Sequence, residues 1–152
     1  MTDHLLAVYP NGTILPVHNS YESIKAAMEE ATIDVVGLPD DHGLFVDDNG
    51  MLNAEELNVP ASIFAQMSLY GPVVLCGPTD PEGETTTPQQ YVHDGLMALA
   101  MMWRRVVLDA ERKGQQIIVR ANPDTVPPAT VMALTEEQFE DFLNGTWSPG
   151  DE

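Results

Sequence analysis

The chain has 152 residues, 43% of them hydrophobic, which is enough to bury one sizeable core and too few for two large independent domains. Its 24 acids against 6 bases give a formal net charge of -18, which argues against direct binding to nucleic acid or an anionic membrane and favours positively charged partners. The single cysteine, Cys76, excludes an internal disulfide and a multi-cysteine zinc site, so a reducing cytoplasm is the expected compartment, and Met1 to Tyr9 lacks the basic start of a signal peptide.

In chain order, Leu5 to Tyr9 and Thr13 to Val17 flank Pro10-Asn11-Gly12, a strong hairpin signal. Asn19 with Glu22 predicts a capped helix start, and Tyr21, Ile24, Met28 and Ala31 recur at helical spacing. Ile33 to Leu38 and Leu44 to Val46 read as strands joined by a turn at Pro39 to Gly43, with a further turn at Asp47 to Gly50. Val59 and Pro60 introduce a short helix over Ala61 to Met67. Gly71 and Pro72 break the chain before Val73 to Cys76, whose unbroken apolar character fits a buried strand. These elements make a first unit of residues 1–79, closed by the polar linker candidate Asp80 to Thr86.

The longest periodic stretch runs from Thr87 to Gly114. Thr87 and Gln90 are spaced as a capping box, Pro88 suits the first helical position, and Gly114 supplies a stop. A broad apolar face from Tyr91 to Ala110 faces the core, and Met97, Met101 and Leu108 form a second, narrower strip. That strip, flanked by Arg104 and Arg105, predicts either a homodimer seam or a site covered by the C-terminal helix. The apolar run Leu96 to Trp103 is far shorter than a membrane span. After it come strands at Gln116 to Arg120 and Val131 to Leu134, separated by a proline-rich segment, and a helix that Thr135 and Gln138 box at its start and Asn144 and Gly145 end. The second unit is residues 87–145, packed on the first, and 146–152 is expected to be a frayed tail. The fold class is α+β: a small mixed or antiparallel sheet with an N-terminal hairpin and short helix, one long central helix and a short C-terminal one.

ILPVHNSYESIKAAM, VVGLPDDHGLFVDDNGMLN, VPASIF and GPVVLCG, with ALTEEQF near the end, resemble domain-of-unknown-function family 3846 over about residues 12–79. The resemblance implies an α+β fold and an origin in phages or mobile elements. It carries over no active site, and the long central helix looks like an elaboration of the family pattern.

Catalytic and metal chemistry find little purchase. His4, His18, His42 and His93 are scattered without metal-ligand spacing, and no nucleophile elbow, phosphate-binding loop or dinucleotide fingerprint occurs. Phe45 to Glu56 has part of a calcium-loop pattern, but Phe45 stands where the first carboxylate is required. Cys76 lies in an apolar run with no base nearby, as inert packing does. No enzyme activity, metal or other cofactor is therefore expected.

Charge distribution is the informative remainder. Asp34, Asp40, Asp41, Asp47, Asp48, Glu55 and Glu56 fall in one segment without a lysine or arginine, and Arg104, Arg105, Arg112, Lys113 and Arg120 are five of the six bases. A solvated acidic face that only keeps the chain soluble is the plainest account. The leading functional expectation is a non-enzymatic phage accessory protein that offers Asp40, Asp41, Asp47, Asp48, Glu55 and Glu56 to a basic protein surface of host or phage, as a DNA mimic does. The alternatives are a nucleotide-signal binder using Arg104, Arg105 and Arg120, and a structural protein that self-associates through Met97, Met101, Arg104, Arg105 and Leu108.

Overall fold

A computed structural model describes residues 4–50, 55–122 and 128–146. Among the described residues, seven strands and four α-helices follow in the order β1 Leu5–Val8, β2 Ile14–Val17, α1 Tyr21–Ala27, β3 Ile33–Gly37, β4 Gly43–Asp47, α2 Val59–Ala65, β5 Val73–Cys76, α3 Gln90–Arg112, β6 Gln116–Ala121, β7 Ala129–Leu134 and α4 Glu136–Leu143. The larger sheet has the order β2-β1-β5-β4-β3 with every neighbouring pair antiparallel, and β6 pairs with β7 in a separate hairpin. The class is α+β, with the long helix and the short C-terminal helix both present.

The period-2 alternation of strands sorts their side chains onto two covered faces. Leu6, Val8, Leu44, Val46, Val73 and Leu75 meet Ala61 of α2 and Val92, Leu96 and Ala100 of α3 on one side. Leu5, Ala7, Val17, Val74 and Cys76 meet Ile24, Ala27 and Met28 on the other. Because β5 is central and covered on both faces, all four of its residues are buried, which is why its sequence is continuously apolar although its neighbours are antiparallel.

The first hairpin forms where Asn11 and Gly12 predict it, with Gly12 at φ 87. A Cβ at Gly12 would lie 2.7 Å from both the Ala100 carbonyl and the Arg104 amide, so only glycine lets this turn lie against the backbone of α3. Trp103 fixes the same contact by donating its indole N–H to the Pro10 carbonyl at 2.7 Å.

Two predicted caps are displaced. The cap of α1 is Ser20, whose Oγ accepts from the Ser23 amide, while Asn19 reaches across the chain to the Thr85 carbonyl at 2.7 Å. Thr87 does not cap α3, which begins three residues later at Gln90. The reason is tertiary: the Gly77 amide donates to the Thr86 carbonyl at 2.8 Å, and this draws the segment before the helix out along the end of β5. Gly114 does end α3 as expected. At φ 69 it lets its own amide reach the Glu111 carbonyl and the Gln115 amide reach that of Ala110, the paired bonds of a Schellman motif. Thr135 and Gln138 form the expected capping box on α4. The stretch Asp80 to Thr86, expected as a linker, is a closed turn in which Asp80 Oδ1 accepts from the amides of Glu82 and Glu84.

Candidate functional site

The predicted acidic residues sit at opposite ends of β4. At one end Asp40 and Asp41 make the β3–β4 turn with φ of 59 and 61, and Asp40 accepts a hydrogen bond from the Tyr91 hydroxyl. That bond to a carboxylate, with partial desolvation, raises the Tyr91 phenol above its ordinary range. At the other end Asp47 Oδ1 caps the next turn by accepting from the Asn49 amide at 2.9 Å, and Asp48 is exposed. Five strand residues at ~3.3 Å each separate the two ends by roughly 15 Å.

Folding adds acids to the second end. Glu29 and Glu30 follow the C-terminus of α1 with φ of 57 and 63, and Glu29, Glu55 and Glu56 line one hollow of about 660 Å³ beside Tyr9 and Pro72. Burial, then the facing Asp47 carboxyl, push the Glu55 carboxyl up to about 7. Its Oε2 is shielded and has no hydrogen-bond partner among the described residues. It fits only because Gly71 is bare: a Cβ there would lie 2.5 Å from Glu55 Oε2. Sequence spacing could not bring Glu29 to this cluster, because the turn after α1 does so.

The five predicted basic residues divide. A groove of about 650 Å³ runs between α3 and the β1–β2 turn, and Arg104, Arg105 and Arg112 line it together with Thr13, Met101 and Leu108. Arg112 pairs with Asp109, which Lys113 also reaches at 3.0 Å, and these cations hold the Asp109 carboxyl below its ordinary range. Arg104 and Arg105 form no ion pair among the described residues. Arg120 points elsewhere in the architecture: it lies on β6 opposite Thr130 and is not part of the groove. Met97 is half-buried against the sheet core, whereas Met101 and Leu108 are 54% and 46% exposed, and Tyr91, Met102 and Val106, expected on the core face of the helix, are exposed as well.

Other chemistry-bearing side chains are occupied structurally. His42 is buried, its Nδ1 hydrogen-bonded to the Asp40 carbonyl and its Nε2 accepting from the Gln89 amide. Burial raises the Cys76 thiol above its ordinary range, and its Sγ donates to the Gly43 carbonyl. Phe45, the first residue of the partial calcium-loop pattern, is a strand residue packed toward α1, and residues 51–54 of that pattern lie outside the described residues. No group of three His, Cys, Asp or Glu among the described residues is placed to hold a metal ion. None of the described helices is long and apolar enough to cross a membrane.

A family model described as Domain of unknown function (DUF3846) matches residues 4–100. The chain belongs to that family, and the match reaches past residues 12–79 at both ends, taking in β1 and the N-terminal half of α3. No curated protein and no solved structure matches the chain.

Proposed function

We propose that this protein acts by binding, presenting its carboxylates to a basic face of a partner protein in the manner of a DNA mimic. An accessory role in a phage or mobile element, against a host nucleic-acid-handling or defence protein, fits that chemistry. The supporting observation is where the backbone holds the acids. Glu29, Glu30, Asp40 and Asp41 all adopt left-handed backbone, which costs most side chains roughly 1–2 kcal/mol and is tolerated better by Asp than by Glu. Glu29 and Glu30 also follow the C-terminus of α1, where the helix dipole repels negative charge. A glutamate pair kept there against its local preferences supports a use outside the chain.

The test is a pull-down from host lysate with Asn at Asp40, Asp41, Asp47 and Asp48. Asn tolerates the left-handed conformation, so the variant should fold as the wild type does. The expected result is loss of a partner that the wild type captures in a salt-sensitive way. Retention of the same partner at wild-type strength by the variant would end this reading.

A second reading rests on the groove, where Arg104 and Arg105 stand without ion-pair partners among the described residues beside Arg112. Guanidinium groups at that density suit a phosphate-bearing small molecule. Calorimetric titration with nucleotides, comparing wild type with Arg104→Ala, tests it; absence of heat with the wild type removes it.

A further inference from the structure

The six residues Tyr91, Asp94, Ala98, Met101, Arg105 and Leu108 follow one another at alternating spacings of three and four along α3. That is the spacing of a two-helix seam. The stripe lies opposite the core line of Leu96, Trp103 and Ala110, which are buried. Its own residues face outward: Tyr91 is 60% exposed, Met101 54% and Leu108 46%, and Asp94, Ala98 and Arg105 are exposed too. Met102 and Val106, also exposed, widen the apolar strip on one side.

We infer that this face is a self-association seam, on which a second copy of the chain lays its own α3 antiparallel about a two-fold axis between Ala98 and Met101. In that register Tyr91 meets the other copy's leucine at 108, Asp94 meets its arginine at 105, and Ala98 meets its methionine at 101. The two-fold then repeats each pair in reverse. Every layer is complementary. Apolar meets apolar, small meets large, and the one acid of the stripe meets its one unpaired base.

Other arrangements of the same two helices lose this match. A parallel pair places Asp94 on Asp94 and Arg105 on Arg105, which is repulsive at both positions. Sliding the antiparallel pair by a heptad sets Arg105 against Met101 in one direction and Asp94 against Ala98 in the other. Both charges are available for the contact. Hydrogen bonds from His93 at 3.1 Å and then Gln90 at 2.7 Å hold the Asp94 carboxyl below its ordinary range, and Arg105 has no ion pair among the described residues.

Net charge selects the same face. Two chains of -18 repel over most of their surfaces. Arg104, Arg105, Arg112 and Lys113 crowd the C-terminal half of α3 against only Asp109 and Glu111, so this helix is where a copy can approach with least repulsion. The Tyr91 hydroxyl bond to Asp40 steadies the aromatic end of the seam before any partner arrives.

The test is sedimentation velocity on the purified full chain over a concentration series, with charge reversals in the seam. Wild type is expected to dimerise, and Asp94→Arg or Arg105→Asp alone to weaken the dimer on the order of tenfold or more. The double variant Asp94→Arg/Arg105→Asp should regain it, because the swapped charges meet again. Orientation is read separately, in a Cys76→Ala background, by oxidising a mixture of Ala98→Cys and Met101→Cys chains. Linkage between the two kinds of chain supports the antiparallel seam, whereas Ala98→Cys linked mainly to itself indicates a parallel one and overturns the inference. A wild type that stays monomeric throughout, or a dimer indifferent to both single reversals, overturns it as well. The crosslinking decides even if a charge-reversed chain fails to fold.

Discussion

His42 Nε2 accepts the backbone N–H of Gln89 at 3.0 Å, so a side chain from the β3–β4 turn caps the longest helix in the molecule. The same ring bonds the Asp40 carbonyl through Nδ1 at 2.9 Å, which fixes the neutral tautomer with the proton on Nδ1. One buried imidazole thus ties the acidic turn to the start of α3, and the rigidity of that turn depends on it.

His42→Ala leaves the Gln89 amide without its acceptor and opens a void at a 2% exposed site. The expected loss of stability is about 2–3 kcal/mol, from an unsatisfied buried donor and lost packing. Thr87→Ala should change stability by less than about 0.5 kcal/mol, because Thr87 caps nothing. Urea denaturation of the two variants checks both. A large loss for Thr87→Ala with none for His42→Ala would restore Thr87 as the cap.

Asn58 is a second such pin. It is fully buried, its Nδ2 donates to the carbonyls of Val8 and Gly71 at 2.9 Å each, and its Oδ1 caps α2 by accepting from the Ala61 amide. Asn58→Asp keeps the cap and points a carboxylate at two carbonyl oxygens. A loss of about 3 kcal/mol or more is expected, exceeding that of Asn58→Ser, and chemical denaturation ranks the two. Equal losses would mean that only the cap matters.

These two residues show where sequence reasoning stops. The Asn11-Gly12 hairpin, the Gly114 stop and the Thr135 box were legible because donor, acceptor and turn residue lie within a few positions of one another. The Gln89 amide that His42 accepts from and the Val8 carbonyl that Asn58 donates to lie 47 and 50 residues away, a distance at which spacing carries no signal. The same limit explains Thr87: its local pattern is a good capping box, and the Gly77–Thr86 backbone bond overrides it. On the surface, Arg104, Arg105 and Arg112 share a groove because they share a helix, whereas Arg120 belongs to a different hairpin, and no count of charges separates them.

Glu55 makes stability depend on pH in a defined direction. Its carboxyl titrates near 7 in the folded chain, above the ordinary glutamate value of about 4.3. Between those values the folded chain holds a proton that the unfolded chain releases, so this group's contribution falls as pH rises through the window and is level above it. Glu55→Gln removes the ionisation. The variant should match wild type at the acid end and exceed it in melting temperature at pH 7 and above. A difference between the two that does not vary with pH would show that Glu55 titrates normally.

The turn that seats on α3 is sensitive to a single added methyl group. Gly12 and Gly83 share nearly the same backbone, φ 87 and φ 83, but a Cβ at Gly83 meets nothing within 4 Å whereas one at Gly12 meets the backbone of Ala100 and Arg104 at 2.7 Å. Gly83→Ala therefore reports left-handed strain alone, about 1 kcal/mol. Gly12→Ala adds a collision with helix backbone that cannot rotate away, and the turn must lift off α3 or the helix must shift. Either movement breaks the 2.7 Å bond from the Trp103 indole to the Pro10 carbonyl and wets a ring that is 9% exposed. In a Trp147→Phe background, Gly12→Ala should thus shift Trp103 emission to longer wavelength while the chain is still folded, and Gly83→Ala should not. An unshifted spectrum with Gly12→Ala would mean that the turn does not bear on the helix.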